Sequence, residues 1–260
     1  MKMRIGSIFA FILVMSLITS SISAFATPSY ITKTWTQVND VVAGGEKIGT
    51  VTTSYTYERQ KDSDNSILVD LAVSKHYDLL PIATEIQKQE FKDDNKRYKI
   101  NVTEGKEYYV NGKKLTQQEL STPINNVAPM SFASSQDTGG IPSVSHYYGD
   151  YTNYHLASYS DLNIMGGPQG KNHQANGKVT NAYVQRAMSS IDSFTGSYNS
   201  MNTSRELFLQ AAGIAIVTVE GIITAIAAGL AGASAAAACY SSFQDCKSAL
   251  EKTCAYIDKI

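Results

Sequence analysis

Neither sign of charge is in excess, since 22 Lys and Arg stand against 23 Asp and Glu for a formal net charge of −1. A chain so balanced has no overall electrostatic pull toward DNA, RNA or anionic lipid, and no nucleic-acid partner is expected. Cysteine is scarce. Its three copies, Cys239, Cys246 and Cys254, all lie near the C-terminus. An odd number leaves one unpaired, and three unaccompanied thiols fall short of the four ligands of a structural zinc site. Catalytic signatures are missing as well, with no G-x-S-x-G and no H-E-x-x-H. His146, Asp150, His155, Asp161 and His173 match no zinc spacing. "GGPQGKN" has neither the spacer nor the Ser or Thr of a phosphate loop, because Asn172 follows Lys171. No catalytic residue, metal or cofactor is therefore expected.

The N-terminus has an address. Lys2 and Arg4 precede an apolar run from Ile5 to Ile18, and Ala24-Phe25-Ala26 offers a small-x-small cleavage site, the pattern of a secretory signal peptide. Residues 1–26 are read as that signal, with the mature chain starting at Thr27. About 234 residues would remain, enough for one or two domains and a real core.

Charge then divides the mature chain. Residues 27–120 hold 13 Lys and Arg and 14 Asp and Glu, whereas residues 121–200 hold three and four. In the first region Val51, Thr53, Tyr55 and Tyr57 alternate with Thr52, Ser54 and Thr56, and Ile67, Val69, Leu71 and Val73 repeat at period two, which predicts strands. "KDSDN" (61–65) and "KDDNK" (92–96) read as turns, and Asn111-Gly112 as a type I′ hairpin. An antiparallel meander follows, its charged residues read as a solvated face. Residues 121–178 are read as a linker, punctuated by Pro123, Pro129, Pro142 and Gly139-Gly140, and a loop-rich Tyr/Asn/Gly segment. Its cluster Tyr147, Tyr148, Tyr151, Tyr154 and Tyr159 packs on the β domain or serves recognition, with short strands at 147–159.

From Val179 the pattern is helical: Ala182, Val184, Ala187, Met188 and Ile191 fall near one face. Thr203 or Ser204 is placed to cap a further helix, with Glu206 in its first turn. The fold class is therefore α+β: an N-terminal antiparallel meander, a loop-rich segment, and a helical region at 179–260 with a long Ala/Gly-rich apolar helix or helical hairpin.

Between Leu207 and Cys239 the only carboxylate or cationic side chain is Glu220. One helix of that length would run roughly 50 Å, against a bilayer core of about 30 Å, so it breaks or overshoots. Gly229 and Gly232 are the expected break points. Gly213, Gly221, Ala225, Gly229, Ala233 and Ala237 recur at intervals of four or eight, a spacing that permits close helix packing and self-association. Ile214, Ile216, Val217, Val219, Ile222, Ile223, Ile226 and Leu230 are the candidate membrane-contacting side chains. Together they favour insertion by roughly 2.4 to 4.8 kcal/mol, and a central Glu220 opposes it by roughly 2.5 to 3.5 kcal/mol. Burial would also raise that carboxyl's pKa. The sum is near zero, as suits a helix that is packed in water until it meets a membrane. A buried core helix and a stable single-pass anchor are the alternatives.

On one continuous helix, successive cysteines stand about 10.5 and 12 Å apart, too far for a disulfide. A turn in "YSSFQD" (240–245) would let Cys239 pair with Cys246 or Cys254; a cytoplasmic tail would instead keep all three reduced. The layout of signal peptide, charged β region and "GIAIVTVEGIITAIAAGLAGASAAAACYSSFQDC" resembles the secreted, membrane-active bacteriocins and killing factors of Gram-positive bacteria, including sporulation-delaying-protein-type precursors. That resemblance implies permeabilisation of target-cell membranes, with the N-terminal domain keeping the apolar helix soluble or addressing it. It leaves open an immunity partner and further proteolysis. The rival readings are a secreted or single-pass cell-surface binding protein, and a secreted hydrolase using the region from His146 to His173.

Overall fold

The computed structural model describes residues 30–121, 124, 137–141, 144–148, 153–159, 172–214, 217–229 and 232–260. The signal peptide, most of the proline-bearing linker, the "GGPQG" segment, Ile216, Leu230 and the side chains of the tyrosine cluster lie outside the described residues.

Period-two alternation produces a six-stranded antiparallel sheet in sequence order. Its strands are β1 (Tyr30–Ala43), β2 (Glu46–Lys61), β3 (Ile67–Leu79), β4 (Asp94–Val102), β5 (Tyr108–Val110) and β6 (Lys113–Lys114). The turns carry the backbone their residues allow. Gly44 and Gly45 take φ of 59° and 82°, and Asn111 and Gly112 take 50° and 79°, the positive pair that a two-residue type I′ hairpin needs. Asn65 at φ 62° closes the β2–β3 turn. The expected turn at 92–96 ends sooner, because β4 already begins at Asp94; Asp93 accepts hydrogen bonds from the Tyr77 N–H and the His76 ring.

Register sets the inward face. Trp35 opposes Tyr55 and stacks on it with ring centroids 4.8 Å apart, Tyr55 opposes Val73, and Tyr57 opposes Leu71. With Val69, Tyr98, Ile100 and Tyr108 these side chains form the sheet's half of the main core. A smaller cluster of Val41, Ala43, Ile48, Ala83 and Phe91 fills the far end, beside the short helix α1 (Glu85–Glu90), which Thr84 and Gln87 close with reciprocal cap bonds.

Residues 137–178 supply more structure than a loop-rich reading expects. Strands β7 (Asp137–Ile141), β8 (Val144–Tyr148), β9 (Asn153–Tyr159) and β10 (Asn172–Lys178) form a second antiparallel sheet in the order β10-β9-β8-β7. A β ladder is built from backbone groups, so few aliphatic side chains are needed once a neighbouring layer lies against it; here α3 and α5 do so.

The helical layer holds α3 (Ala182–Ala212), α4 (Val219–Ala228) and α5 (Ala233–Ile257). No helix starts at Thr203 or Ser204. Helix α3 runs through both, because Val184, Ala187, Ile191, Phe194, Tyr198, Met201, Arg205 and Phe208 are buried at alternating intervals of three and four, the seam spacing of a coiled coil. Helix α5 carries the matching seam in Ala236, Cys239, Phe243, Cys246, Leu250, Thr253 and Ile257. The pair is antiparallel, since Ser190 Oγ donates to the Ala249 carbonyl while Gly232 sits against Phe208 and Ala211. Seam packing outweighs the local preference of Thr and Ser for a cap.

The long apolar segment is therefore divided. It breaks at Gly213, at Gly229 and at Gly232, all with positive φ, and among the described residues no helix is long and apolar enough to cross a membrane. The turn expected at 240–245 is also absent. Tyr240 and Phe243 are buried within α5, and the helix continues past all three cysteines, none of which forms a disulfide with another described residue.

Two measurements check this fold. Phe194→Ala, which empties a fully buried seam position, should lower the free energy of unfolding by about 3–5 kcal/mol in chemical denaturation. Glu119 lies in the short helix α2 (Gln117–Ser121). Its bond from Lys113 and those from the Thr116 backbone and hydroxyl hold its carboxyl down at about 2. Its contribution to stability is present above the ordinary carboxylate pKa and is lost as pH falls through about 2. An NMR titration should find that midpoint.

Candidate functional site

Helix α4 is the shortest of the three helices and the one whose surroundings differ most from a plain core. Val219, Ile222, Ile223 and Ile226 fall at i, i+3, i+4 and i+7, one face of the helix, and all are at most 5% exposed. Val217, just before the helix, is buried as well, and its carbonyl accepts from the Ile124 N–H. These five candidate membrane-contacting residues belong to the same buried cluster as Tyr57, Leu71, Ile100 and Tyr108. In this fold they are core. Ile214 alone of the described candidates is largely exposed, at 44%. Burying each of the five contributes about 1.5–3 kcal/mol, which is why the apolar run seeks the sheet.

The C-terminal end of α4 is held by side chains of the sheet. Tyr57 Oη donates to the Ile226 carbonyl at 2.8 Å, Arg59 Nε to the Ala227 carbonyl at 2.6 Å, and Lys33 Nζ to the Gly229 carbonyl at 3.4 Å. Register brings these three together: Lys33 on β1 opposes Tyr57 on β2, and Arg59 follows two residues later on the same face. The last carbonyls of a helix have no intrahelical donor and form the negative end of its dipole, so a phenol and two cations suit them. Burial pushes the Tyr57 phenol up to about 12, with the Arg59 charge acting the other way, so the hydroxyl keeps its proton to donate.

Gly229 is required twice at this clasp. Its φ is 68°, and an added Cβ would lie 3.0 Å from Arg59 Cδ and 3.2 Å from Tyr57 Oη. At the other end Thr218 caps the helix by accepting from the Gly221 N–H. The Tyr108 hydroxyl donates to Glu220 Oε1 at 3.1 Å and lies 3.2 Å from Thr224 Oγ1. Glu220 is thus half-buried beside a phenol rather than sunk in apolar surroundings.

A second polar cluster holds α5. Lys75 Nζ lies 2.7 Å from Asp245 Oδ2, Lys96 Nζ lies 2.5 Å from Asp245 Oδ1, and Lys96 also reaches Asp94 at 3.4 Å. The Asp245 side chain is 8% exposed. Tyr55, Tyr77 and Tyr98 line this region, and burial raises each phenol above its ordinary value. Removing the aspartate would leave two lysines facing a core, the situation in which breaking a buried pair costs most.

Charged residues of the first region therefore do not all lie on a solvated face. Lys33, Arg59, Lys75 and Lys96, one on each long strand, point inward. The signal was present: Arg59 continues the inward series 55, 57, 59, Lys75 the series 69, 71, 73, 75, and Lys96 the series 96, 98, 100. A cation that keeps step with an apolar period-two face is a candidate for a buried partner.

The small residues are spread over three elements and make no single stripe. Gly213 caps α3, Gly221 and Ala225 are half-buried on α4, Gly229 meets the clasp, and Ala233 and Ala237 are buried on α5. Cys239 and Cys246 occupy seam positions about 10.5 Å apart on one helix, beyond disulfide reach. Burial pushes the Cys239 thiol up to about 12, the Arg205 charge opposing, and raises Cys246 as well. His146, His155 and His173 fall on β8, β9 and β10, with His155 opposite Tyr147 and His173 opposite Ser158. Among the described residues no three His, Cys, Asp or Glu are grouped to hold a metal.

The thiols give a direct check. Native protein at pH 8 should leave Cys239 and Cys246 unlabelled by a maleimide, both should label after unfolding in guanidinium, and reductant should not change the intact mass. Comparison with protein-family models, with curated proteins and with solved structures finds no match for this chain.

Proposed function

We propose that this chain is a secreted, bacteriocin-like antimicrobial protein that acts on target-cell membranes through its C-terminal apolar region, with the six-stranded sheet serving as the holder that keeps that region soluble. The observation that carries this reading is helix α4: ten residues whose only charge is Glu220, capped by Thr218 and ended by the left-handed Gly229, with C-terminal carbonyls held by side chains of another layer. Lipid tails are about as apolar as a protein interior, so moving the α4 face from sheet to bilayer changes its transfer energy little. The polar bonds at its two ends then decide where it resides.

On this reading the signal peptide directs export and the partner is the lipid membrane of a target cell. No cofactor, metal or nucleic acid takes part, and Gly221 and Ala225 on α4 are available for self-association in lipid. A second reading, a secreted or cell-surface binding protein, is favoured by the outer face of β1 and β2. There Thr34 opposes Thr56 and Thr36 opposes Ser54, a hydroxyl-rich surface suited to wall polymer.

The test uses the mature chain from Thr27. Release of a trapped dye from phosphatidylcholine and phosphatidylglycerol vesicles at micromolar protein, together with clearing on lawns of related bacteria, is the expected result. A protein that releases no dye, leaves lawns intact and sediments with purified cell wall would replace the membrane reading with the binding one.

A further inference from the structure

We infer that α4 alone is the mobile element, opening from its clasped C-terminal end while α5 stays docked, and that it engages lipid as a shallow wedge in one leaflet. This inference rests on the membrane reading for its lipid partner, whereas its account of the opening concerns the protein itself.

The two apolar helices are held by different means. Helix α5 shares a six-turn seam with α3, places Asp245 between Lys75 and Lys96, accepts from Ser190 at the Ala249 carbonyl, and pairs Lys252 with Glu90. Undocking it would strand a carboxylate and two ammonium groups and expose its seam. Among the described residues, helix α4 carries no ion pair. Its clasp is a set of hydrogen bonds to backbone carbonyls, which water can replace, and its freed cations Lys33 and Arg59 pass to solvent or to lipid phosphates.

The ends of α4 also suit independent movement. Gly213 closes α3 at φ 66°, Gly229 closes α4 at φ 68°, and Gly232 opens α5 at φ 89°. Thr218 starts α4 and the left-handed Gly229 ends it, so the helix can turn as a unit, with Gly213 and Gly232 marking where α3 ends and α5 begins.

Length sets the depth. Ten residues extend about 15 Å, half of a bilayer core of about 30 Å, so α4 cannot span. Its faces are separated instead: Val219, Ile222, Ile223 and Ile226 lie on one side, and Glu220 and Thr224, four apart, share another. That arrangement places a helix flat at the interface, apolar face toward the acyl chains and carboxylate toward the headgroups.

Hydrogen exchange read by mass spectrometry tests the opening without lipid. In wild type, amides of 219–228 should exchange faster than those of 236–250. Arg59→Met should speed the former by about tenfold or more, as expected from losing the charge-assisted bond to the Ala227 carbonyl, and leave the latter unchanged. Lys33→Met, at a half-buried site, is the second variant should Arg59→Met not fold. If both helices exchange together in wild type and in the folded variant, the separate opening of α4 is wrong. Adding phosphatidylcholine–phosphatidylglycerol vesicles should deprotect β3 and β4 beneath α4 and spare α5. A tenfold effect in solution with no change on vesicles would keep the opening and overturn the lipid wedge and the membrane reading; simultaneous loss of α5 protection on vesicles would overturn the wedge alone.

Discussion

One cation on the inward face of each of the four long strands constrains how the helices can lie. Lys33 and Arg59 need acceptors at one side of the sheet and Lys75 and Lys96 need them at another, and an apolar helix face offers none. The chain meets the first need with the C-terminal carbonyls of α4 and the second with Asp245 of α5. Both solutions fix a position along the sheet, which hydrophobic burial alone does not do because it has no direction. The Tyr98–Tyr240 edge contact, with centroids 5.5 Å apart, fits within the frame these pairs define.

The seam between α3 and α5 supplies the second constraint. Its spacing is regular, but its members include Cys239, Cys246, Thr253, Arg205, Ala187 and Ala236, so the stripe is narrow and weakly apolar. Small side chains bring the two helices close, and Gly232 shows how close: a Cβ there would lie 3.1 Å from Ala211 Cβ. In that setting a thiol is a small hydrophobic group whose proton is kept by desolvation, and its role is packing.

Between these constraints, α4 bridges the ends of an antiparallel pair and covers the sheet. Its apolar face obtains from Tyr57, Leu71, Ile100 and Tyr108 what it would otherwise need from lipid. The proposed membrane role and an ordinary core role therefore use the same four side chains, Val219, Ile222, Ile223 and Ile226, and differ in what holds the helix ends. That is why the clasp, rather than the greasiness of the segment, is the feature on which the proposed function turns.

The elements legible in the sequence are those whose cause is local. Alternation at period two, Asn111-Gly112 with its positive φ pair, and the helix-breaking glycines at 229 and 232 each act within a few residues, so the α+β class and the meander follow from reading along the chain. The pairings that make the site are not local: Lys75 meets Asp245 across 170 positions and Tyr57 meets the Ile226 carbonyl across 169. A lysine beside a turn-rich charged stretch looks solvated until its partner is known, and cysteines seven and eight residues apart look like disulfide material until the helix is known to continue through them. Tertiary structure decided which charges face inward, which thiols are core, and that the apolar run is cut into three pieces, because burial and polar pairing are settled between layers that approach only once the chain is folded.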